Sequence, residues 1–95
     1  MRIRTSPGEL LLEEFMKPLG LSGNELARQL KVPANRINDI VRGRREISAE
    51  TALRLARYFG TTARFWLNAQ AAYDLSKAES ESAGRIASEV RPRAA

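Results

Sequence analysis

Apolar residues recur along the chain with the spacing of α-helices, and helix-start signals precede them. The stretch Ser6-Pro7-Gly8-Glu9 has the form of a capping box with proline at the first helical position. The apolar residues behind it are Leu11, Leu12, Phe15 and Met16. We therefore predict a first helix from about Pro7 to Met16.

A second capping box, Ser22-Gly23-Asn24-Glu25, lies beyond Pro18 and Gly20, which separate it from the first helix. The apolar residues behind it are Leu26, Ala27 and Leu30. The pattern predicts a short second helix that ends near Leu30.

Two more helices are predicted between clear start and stop signals. The third lies between Pro33, which is tolerated at a helix edge, and Gly43, a common helix terminator. Its inward positions are Ile37, Ile40 and Val41. The fourth begins after the N-cap Ser48 and ends at Gly60. Its inward positions are Ala52, Leu53, Leu55, Ala56 and Phe59.

A fifth helix is predicted from Ala63, after the N-cap Thr62, to about Leu75. From Ser76 onward the composition shifts to Ser, Ala, Glu and Arg, so this tail is expected to be disordered or to become ordered only on a partner. Five short helices without an alternating stretch predict an all-α fold. We expect a folded domain over residues 1–75 and a tail over residues 76–95 that is flexible or partly helical.

The 95-residue chain contains no cysteine and no histidine. This excludes a disulfide framework, a thiolate nucleophile, a Ser-His pair and a zinc site of the usual ligands. We therefore expect no metal and no cofactor. No apolar run approaches the roughly 18 residues that a membrane span needs, so we expect a cytoplasmic protein without a membrane partner.

An enzyme is not expected either. The candidate catalytic groups are carboxylates such as Glu9, Glu13 and Glu14, which on the first helix form a solvated face. The sequence has no Gly-rich phosphate loop.

Positive charge is concentrated in the middle of the chain. The net charge is −1 over residues 1–27, +6 over residues 28–64 and 0 over residues 65–95. A basic stretch can be a solvated face, but clustering within one segment of a small domain favours a polyanionic partner.

The second and third predicted helices, joined by a tight turn at about Leu30 to Val32, have the helix-turn-helix layout. The small Ala27 lets them approach closely. Outside the buried positions, the third helix carries Ala34, Asn35, Arg36, Asn38, Asp39 and Arg42. Such side chains can read bases, because asparagine pairs with adenine and arginine with guanine in the major groove. Asp39 can accept from cytosine or orient a neighbouring arginine.

Solvated surface is the alternative interpretation of this face. The surroundings favour DNA, because Gly43-Arg44-Arg45 would place two guanidinium groups beside the phosphates that flank the groove. The start of the second helix, with Ser22 and Asn24, also offers free amides and small polar groups to a phosphate.

Apolar side chains surround the fifth helix on nearly every side. They are Phe65, Trp66, Leu67, Ala69, Ala71, Ala72, Tyr73 and Leu75. This helix is either central in a very small core or buried on a second side by a symmetry mate. The dimer is favoured, because a recognition helix of two turns binds weakly alone. We predict dimerisation around Tyr73 and Leu75, with Trp66 in the core.

A longer set of motifs carries a family resemblance. The motifs are Ser6-Pro7-Gly8-Glu9-Leu10-Leu11, Leu26-Ala27, Val32-Pro33, Ile37, Ile40-Val41, Gly43-Arg44-Arg45, Ile47-Ser48, Thr51-Ala52-Leu53-Arg54-Leu55-Ala56, Phe59-Gly60-Thr61 and the run from Phe65 to Leu75. Over about residues 3 to 75 the chain resembles the HigA-type antitoxins, a branch of the Xre/Cro-like helix-turn-helix proteins. The last run discriminates this branch from other repressors. Ser6 stands where the family usually has histidine.

The resemblance implies a five-helix lambda-repressor-like (Xre/Cro-type) DNA-binding domain that forms a homodimer on an inverted repeat in its own operon's promoter. It also implies neutralisation of a HigB-type toxin, an RNase that cuts messenger RNA on the ribosome. The same resemblance assigns base reading to Ala34, Asn35, Arg36, Asn38 and Asp39. Phosphate contact falls to Arg42, Arg44 and Arg45. A stand-alone Xre-family repressor without a toxin partner is the alternative.

Overall fold

The computed structural model describes residues 5–93, and over this range the chain forms five helices and no β-strand. Helix α1 covers residues 7–19 in three segments, Pro7–Leu10, a π-helical Leu11–Met16 and Lys17–Leu19. The other helices are α2 (Gly23–Leu30), α3 (Ala34–Val41), α4 (Ala49–Phe59) and α5 (Ala63–Glu89). The predicted all-α fold is confirmed. The division into residues 1–75 and 76–95 stays a prediction, and its ends, residues 1–4 and 94–95, lie outside the described range.

Side-chain caps define most of the helix starts. In four of the five described helices, a serine or threonine oxygen accepts a hydrogen bond from the backbone N–H three residues later. These caps are Ser6, Ser22, Ser48 and Thr62. Helix α3 begins instead after Pro33, which has no capping side chain. Each cap stabilises its helix by about 1 kcal/mol, and every one of these starts agrees with the sequence prediction.

Helix α1 is longer than predicted, because it continues three residues beyond Met16 with Pro18 inside its last turn. Proline lacks an N–H and its ring crowds the carbonyl four residues earlier, so regular α-helical bonding cannot pass through it. The π-helical segment before it resolves this conflict: the Lys17 N–H bonds to the carbonyl of Leu12, five residues back. Gly20 then ends the helix in the left-handed conformation, with φ 65°.

Helix α5 also exceeds its prediction, ending at Glu89 instead of near Leu75. Residues 76–89 include several good helix formers. An ion pair between residues one turn apart, with Arg85 Nε 3.6 Å from Glu89 Oε1, stabilises the last turns. A helix of 27 residues is about 40 Å long. It accounts for the elongated outline of 52 × 23 × 21 Å, with the part beyond Ser76 largely exposed.

The core lies where the five helices meet. Its buried apolar residues are Leu11, Met16, Leu26, Ala27, Leu30, Ile37, Ile40, Ile47, Ala52, Leu55 and Trp66. Trp66 is fully enclosed, with its ring 4.9 Å from that of Phe15 and 5.1 Å from that of Phe65. Its indole N–H donates to the Thr61 hydroxyl at 2.8 Å. The predicted core position of Trp66 is confirmed. Along the described chain, no helix combines the length and the apolarity needed to cross a membrane.

Leu53 is a correction to the predicted core. It was expected to face inward, but 63% of it is exposed. The neighbouring Ala52 and Leu55 point into the core, and a helix turns by about 100° per residue, so Leu53 falls on the far side. It lines a shallow groove with Tyr58 of α4, with Lys31 just after α2, and with other residues of these two helices.

At Gly8 the backbone of α1 lies directly against the backbone at the end of α3. Gly8 is buried, and a methyl group placed on its Cα would collide with the carbonyl oxygen of Ile40. The same methyl group would lie 3.0 Å from the Cα of Val41. Because neither neighbouring atom belongs to a flexible side chain, only glycine fits this crossing.

We predict that Gly8→Ala destabilises the fold by about 1 to 3 kcal/mol, because the backbones of α1 and α3 must separate. Thermal or urea unfolding measures the change. Gly84→Ala is the matched control, because Gly84 lies in α5 with open space around its Cα. Alanine there should be neutral or should stabilise the helix by up to about 1 kcal/mol. Equal stability of the two variants would contradict the close approach.

Candidate nucleic-acid interface

Helices α2 and α3 form a helix-turn-helix with a strained turn between them. Lys31, directly after α2, adopts the left-handed conformation with φ 59°, which residues other than glycine rarely adopt. Arg54 of α4 donates from Nη1 to the carbonyl of Leu30 at 2.8 Å. This contact satisfies a free carbonyl at the end of α2 and ties the turn to α4.

Asn38, a predicted base reader, connects α3 to the start of α2. Its Nδ2 donates to Oδ1 of Asn24 at 3.4 Å. Its Oδ1 lies directly over Gly23, where any Cβ would collide with it. The two asparagines therefore hold the first turn of α2 against α3, and the predicted base reader and phosphate contact lie side by side.

Arg36, a second predicted base reader, extends from α3 toward the start of α4. Its Nη1 lies 3.5 Å from Oγ1 of Thr51, and its Nε is enclosed without a hydrogen-bond partner among the described residues. The side chain is half-buried. One edge of the guanidinium is thus held by the protein, and the other donors remain for a ligand.

The remaining predicted base readers are more open. Ala34 and Asn35, in the first turn of α3, are exposed, and the described residues offer the Asn35 side chain no hydrogen bond. Asp39 is half-buried, and its backbone carbonyl accepts from the N–H of Arg44 at 2.8 Å. The outer face of α3 therefore presents Asn35 freely, with Arg36 and Asn38 in fixed positions beside it.

The arginines that directly follow α3 form a basic loop next to this helix. Gly43, with φ 75°, reverses the chain after Arg42. Arg42, Arg44 and Arg45, the predicted phosphate contacts, are all exposed. Gln70 of α5 fixes the far end of the loop, because its Oε1 accepts from the N–H of Ile47 at 2.9 Å.

The predicted dimerisation residues lie on different sides of α5. Residues two positions apart, such as these, lie about 200° apart around a helix. Tyr73 is half-buried beside the basic loop, in a polar cleft that also includes Arg44 and Lys77. Leu75 is 62% exposed and faces the same side as Ile86, with Ala78 between them.

Three contacts of the interface were not predicted from sequence, and they involve Thr51, Arg54 and Gln70. Their partners are 15, 24 and 23 residues away in the chain. The one sequence signal for any of them is Arg54, which interrupts the apolar run of α4 and therefore needs a polar partner. In the part of the chain that the structure describes, no cluster of acidic residues could hold a metal ion.

Two helices crossing at a tight turn, with polar residues outside and a basic loop beside them, define a DNA-binding protein of the helix-turn-helix class. Residues 12–66 match the family model described as Helix-turn-helix. The chain belongs to this family, and the resemblance to its HigA-type branch is confirmed.

Three relatives show how far the similarity extends. Virulence-associated protein I of Dichelobacter nodosus is 59% identical over 75 residues, which cover 79% of this chain and 69% of that protein. The Pseudomonas aeruginosa antitoxin HigA, solved with the higBA promoter, is 46% identical with a TM-score of 0.90 over 95% of this chain and 98% of that one. The antitoxin GraA in complex with its operator is 44% identical with a TM-score of 0.91 over 100% of this chain and 95% of that one.

The capping box of α2 makes stability depend on pH. The Ser22 hydroxyl accepts from the Glu25 N–H at 3.1 Å, and the Ser22 N–H donates to Glu25 Oε1 at 3.2 Å. Hydrogen bonds with Ser22 hold the pKa of Glu25 below its ordinary value. The side chain of Ser22 has the largest effect, followed by its backbone, and the nearby charge of Arg28 acts in the same direction. Because the folded-state pKa is the lower one, the contribution of this carboxylate is complete above its ordinary pKa of about 4.3 and is lost as the pH falls through the folded-state pKa.

We therefore predict that Glu25→Ala lowers the Tm at about pH 7 and that its difference from the parent shrinks toward about pH 3. Thermal unfolding across this range measures the difference. Glu25→Gln is the control, because it keeps an acceptor for the Ser22 N–H without a titratable charge. A difference between parent and Glu25→Ala that does not vary with pH would show that the charge contributes nothing.

Proposed function

We propose that this protein is the antitoxin of a type II toxin-antitoxin module. In this role it binds operator DNA as a homodimer, represses its own operon and neutralises a HigB-type toxin that cleaves messenger RNA. The observation that supports this is the polar face of α3 beside the basic loop, in a chain that superposes almost completely on two antitoxins solved with promoter or operator DNA. Its place of action is the cytoplasm, and it acts by binding rather than by catalysis.

Base reading is the role we propose for the outer face of α3 in the major groove. Asn35 is exposed and can pair with adenine, and Arg36 can offer two donors to guanine. Asn38 and Asp39 border the same surface, and Ala34 can contact a thymine methyl group. Because these residues carry the pattern of donors and acceptors, they determine which sequence is bound.

Phosphate binding is the role we propose for the residues around that face. They are Ser22 and Asn24 at the start of α2, and Arg42, Arg44 and Arg45 after α3. Helix N-termini and guanidinium groups attract phosphates whatever the base sequence. These contacts would set the register of α3 in the groove and supply most of the salt-sensitive affinity.

A homodimer through α5 completes the proposal. A recognition helix of eight residues reads only a short half-site, so two copies about 34 Å apart are needed to read an inverted repeat. Leu75 and Ile86 lie on one side of the exposed part of α5 and offer an apolar surface for a second copy. Tyr73 would then contribute from the polar cleft next to the basic loop.

Co-expression with the product of the neighbouring gene tests the antitoxin role. We expect the two proteins to purify together, the toxin's mRNA cleavage to stop and the complex to protect an inverted repeat in the shared promoter from footprinting. Protection of the promoter by a protein that neither captures the neighbouring product nor blocks its activity would instead identify a stand-alone repressor.

For readout, we predict that Asn35→Ala or Arg36→Ala weakens operator binding by about 1 to 3 kcal/mol and relaxes base preference at one position. Arg44→Ala should weaken binding to all sequences alike and reduce the salt dependence by about one phosphate contact. Titrations with base-substituted operators measure both effects.

Arg57→Ala is the matched control for charge, because Arg57 lines the groove at the other end of α2, near Lys31. The Arg57→Ala substitution should leave the base preference unchanged. If Asn35→Ala and Arg36→Ala both bind like the parent, α3 is not the reading helix.

For assembly, we predict a dimer of about twice the 10.6 kDa chain mass at micromolar concentration. Leu75→Asp should weaken it by about 2 kcal/mol or more, because an apolar side chain is replaced by a charge at the interface. Sedimentation measures the mass. Leu19→Asp is the control, because Leu19 is equally exposed, at 62%, but lies on α1. A parent protein that is monomeric both free and on DNA would contradict dimerisation.

A further inference from the structure

Thr51 is a buried polar residue at the junction of α3 and α4. Only 1% of it is exposed. Its Oγ1 accepts a hydrogen bond from the Ser48 hydroxyl at 3.2 Å and another from Nη1 of Arg36 at 3.5 Å. A buried hydroxyl is stable in the core only when it has partners, and here one partner is a predicted base reader.

Capping of α4 does not require the Thr51 hydroxyl. The cap of this helix is Ser48, whose Oγ accepts from the backbone N–H of Thr51 at 3.2 Å. Any residue other than proline at position 51 supplies that N–H. The neighbouring Ala52 and Leu55 are fully buried apolar residues, so an apolar side chain of the same shape suits this site. An apolar side chain would lose two hydrogen bonds, one from Ser48 and one from Arg36. Ser48 is exposed, so its hydroxyl can bond water instead, and the contact that depends on threonine is the one with Arg36.

The contact favours one orientation of the guanidinium. A hydroxyl oxygen has two acceptor sites, and the donors of Ser48 and Arg36 fill both. The Nε of Arg36 is enclosed as well, so rotation of the group would have to break the bond to Thr51 and move that buried edge. The bond to Thr51 uses one of the two N–H groups of Nη1. The other N–H of Nη1 and those of Nη2 remain for the paired acceptors of guanine.

We infer that Thr51 is a positioning residue that contributes to operator specificity by directing the guanidinium of Arg36 toward its base. This inference rests on the proposed function, in which Arg36 reads a base. It adds a residue of α4, outside the helix-turn-helix pair, to the determinants of base preference. Thr51 acts only through Arg36 and makes no DNA contact of its own.

Thr51→Val tests the inference, because valine has the same shape without the hydroxyl. Thr51→Ser keeps the hydroxyl and is the matched control. Arg36→Ala first locates the base position at which preference is lost. Affinities of the parent, both position-51 variants, Arg36→Ala and the Arg36→Ala/Thr51→Val double variant are then measured on the operator and on an operator substituted at that position.

We expect Thr51→Val to reduce the preference for the original base by about tenfold, the effect of one hydrogen bond to a charged group. Thr51→Ser should retain the preference, and the salt dependence should not change, because no phosphate contact is altered. In the Arg36→Ala background, Thr51→Val should have no further effect. Thr51→Ala serves as a second variant if valine prevents folding, and thermal unfolding checks that each variant is folded.

Two outcomes would overturn the positioning role alone. One is parental base preference in Thr51→Val while Arg36→Ala loses it. The other is an equal loss in affinity when Thr51→Val is added to Arg36→Ala, which would mean that the hydroxyl acts through the fold. Parental preference in Arg36→Ala itself would overturn the assignment of Arg36 as a reader and, with it, this inference.

Discussion

Enclosure of the Trp66 indole is the interaction on which the arrangement of the helices depends. The rings of Phe15 on α1 and Phe59 on α4 lie within 6.4 Å of it, so a single side chain joins α5 to both. Its N–H would cost about 1 to 3 kcal/mol if left unpaired, and the Thr61 hydroxyl removes that cost. One turn further along α5, Gln70 bonds the chain just before α4. The core and the basic loop are therefore positioned by one helix.

Two side chains of the proposed reading surface already have hydrogen-bond partners within the protein. Arg36 is held by Thr51, and Asn38 is held by Asn24. Long polar side chains lose rotational freedom when they bind, at a cost of about 0.5 to 1.5 kcal/mol each. Contacts within the protein have already restricted these two, whereas Asn35 remains free to adapt. The face of α3 thus combines fixed and adjustable groups, a mixture that suits selective binding.

The sequence predicted the helix starts well, because capping residues act on the backbone within three positions of themselves. It predicted the ends of α1 and α5 poorly. The first depends on a π-helical turn that accommodates Pro18, and the second on helix propensity in a segment with few apolar residues. The outer face of α3 followed from periodicity alone. Periodicity could not predict the Arg36–Thr51 and Ile47–Gln70 contacts, because each joins residues at least 15 positions apart and depends on how the helices cross.

The backbone contact between Gly8 and Ile40 has a mechanical consequence. Side chains between two helices can change rotamer and absorb a small shift, but at Gly8 no side chain lies between the backbone of α1 and the last turn of α3. Close-packed protein interiors are stiff and transmit strain. A force applied to α1, whose outer side carries Glu9, Glu13 and Glu14, is therefore transmitted directly to α3, the proposed reading helix. A partner that binds the acidic side of α1 would therefore also change the tilt of α3.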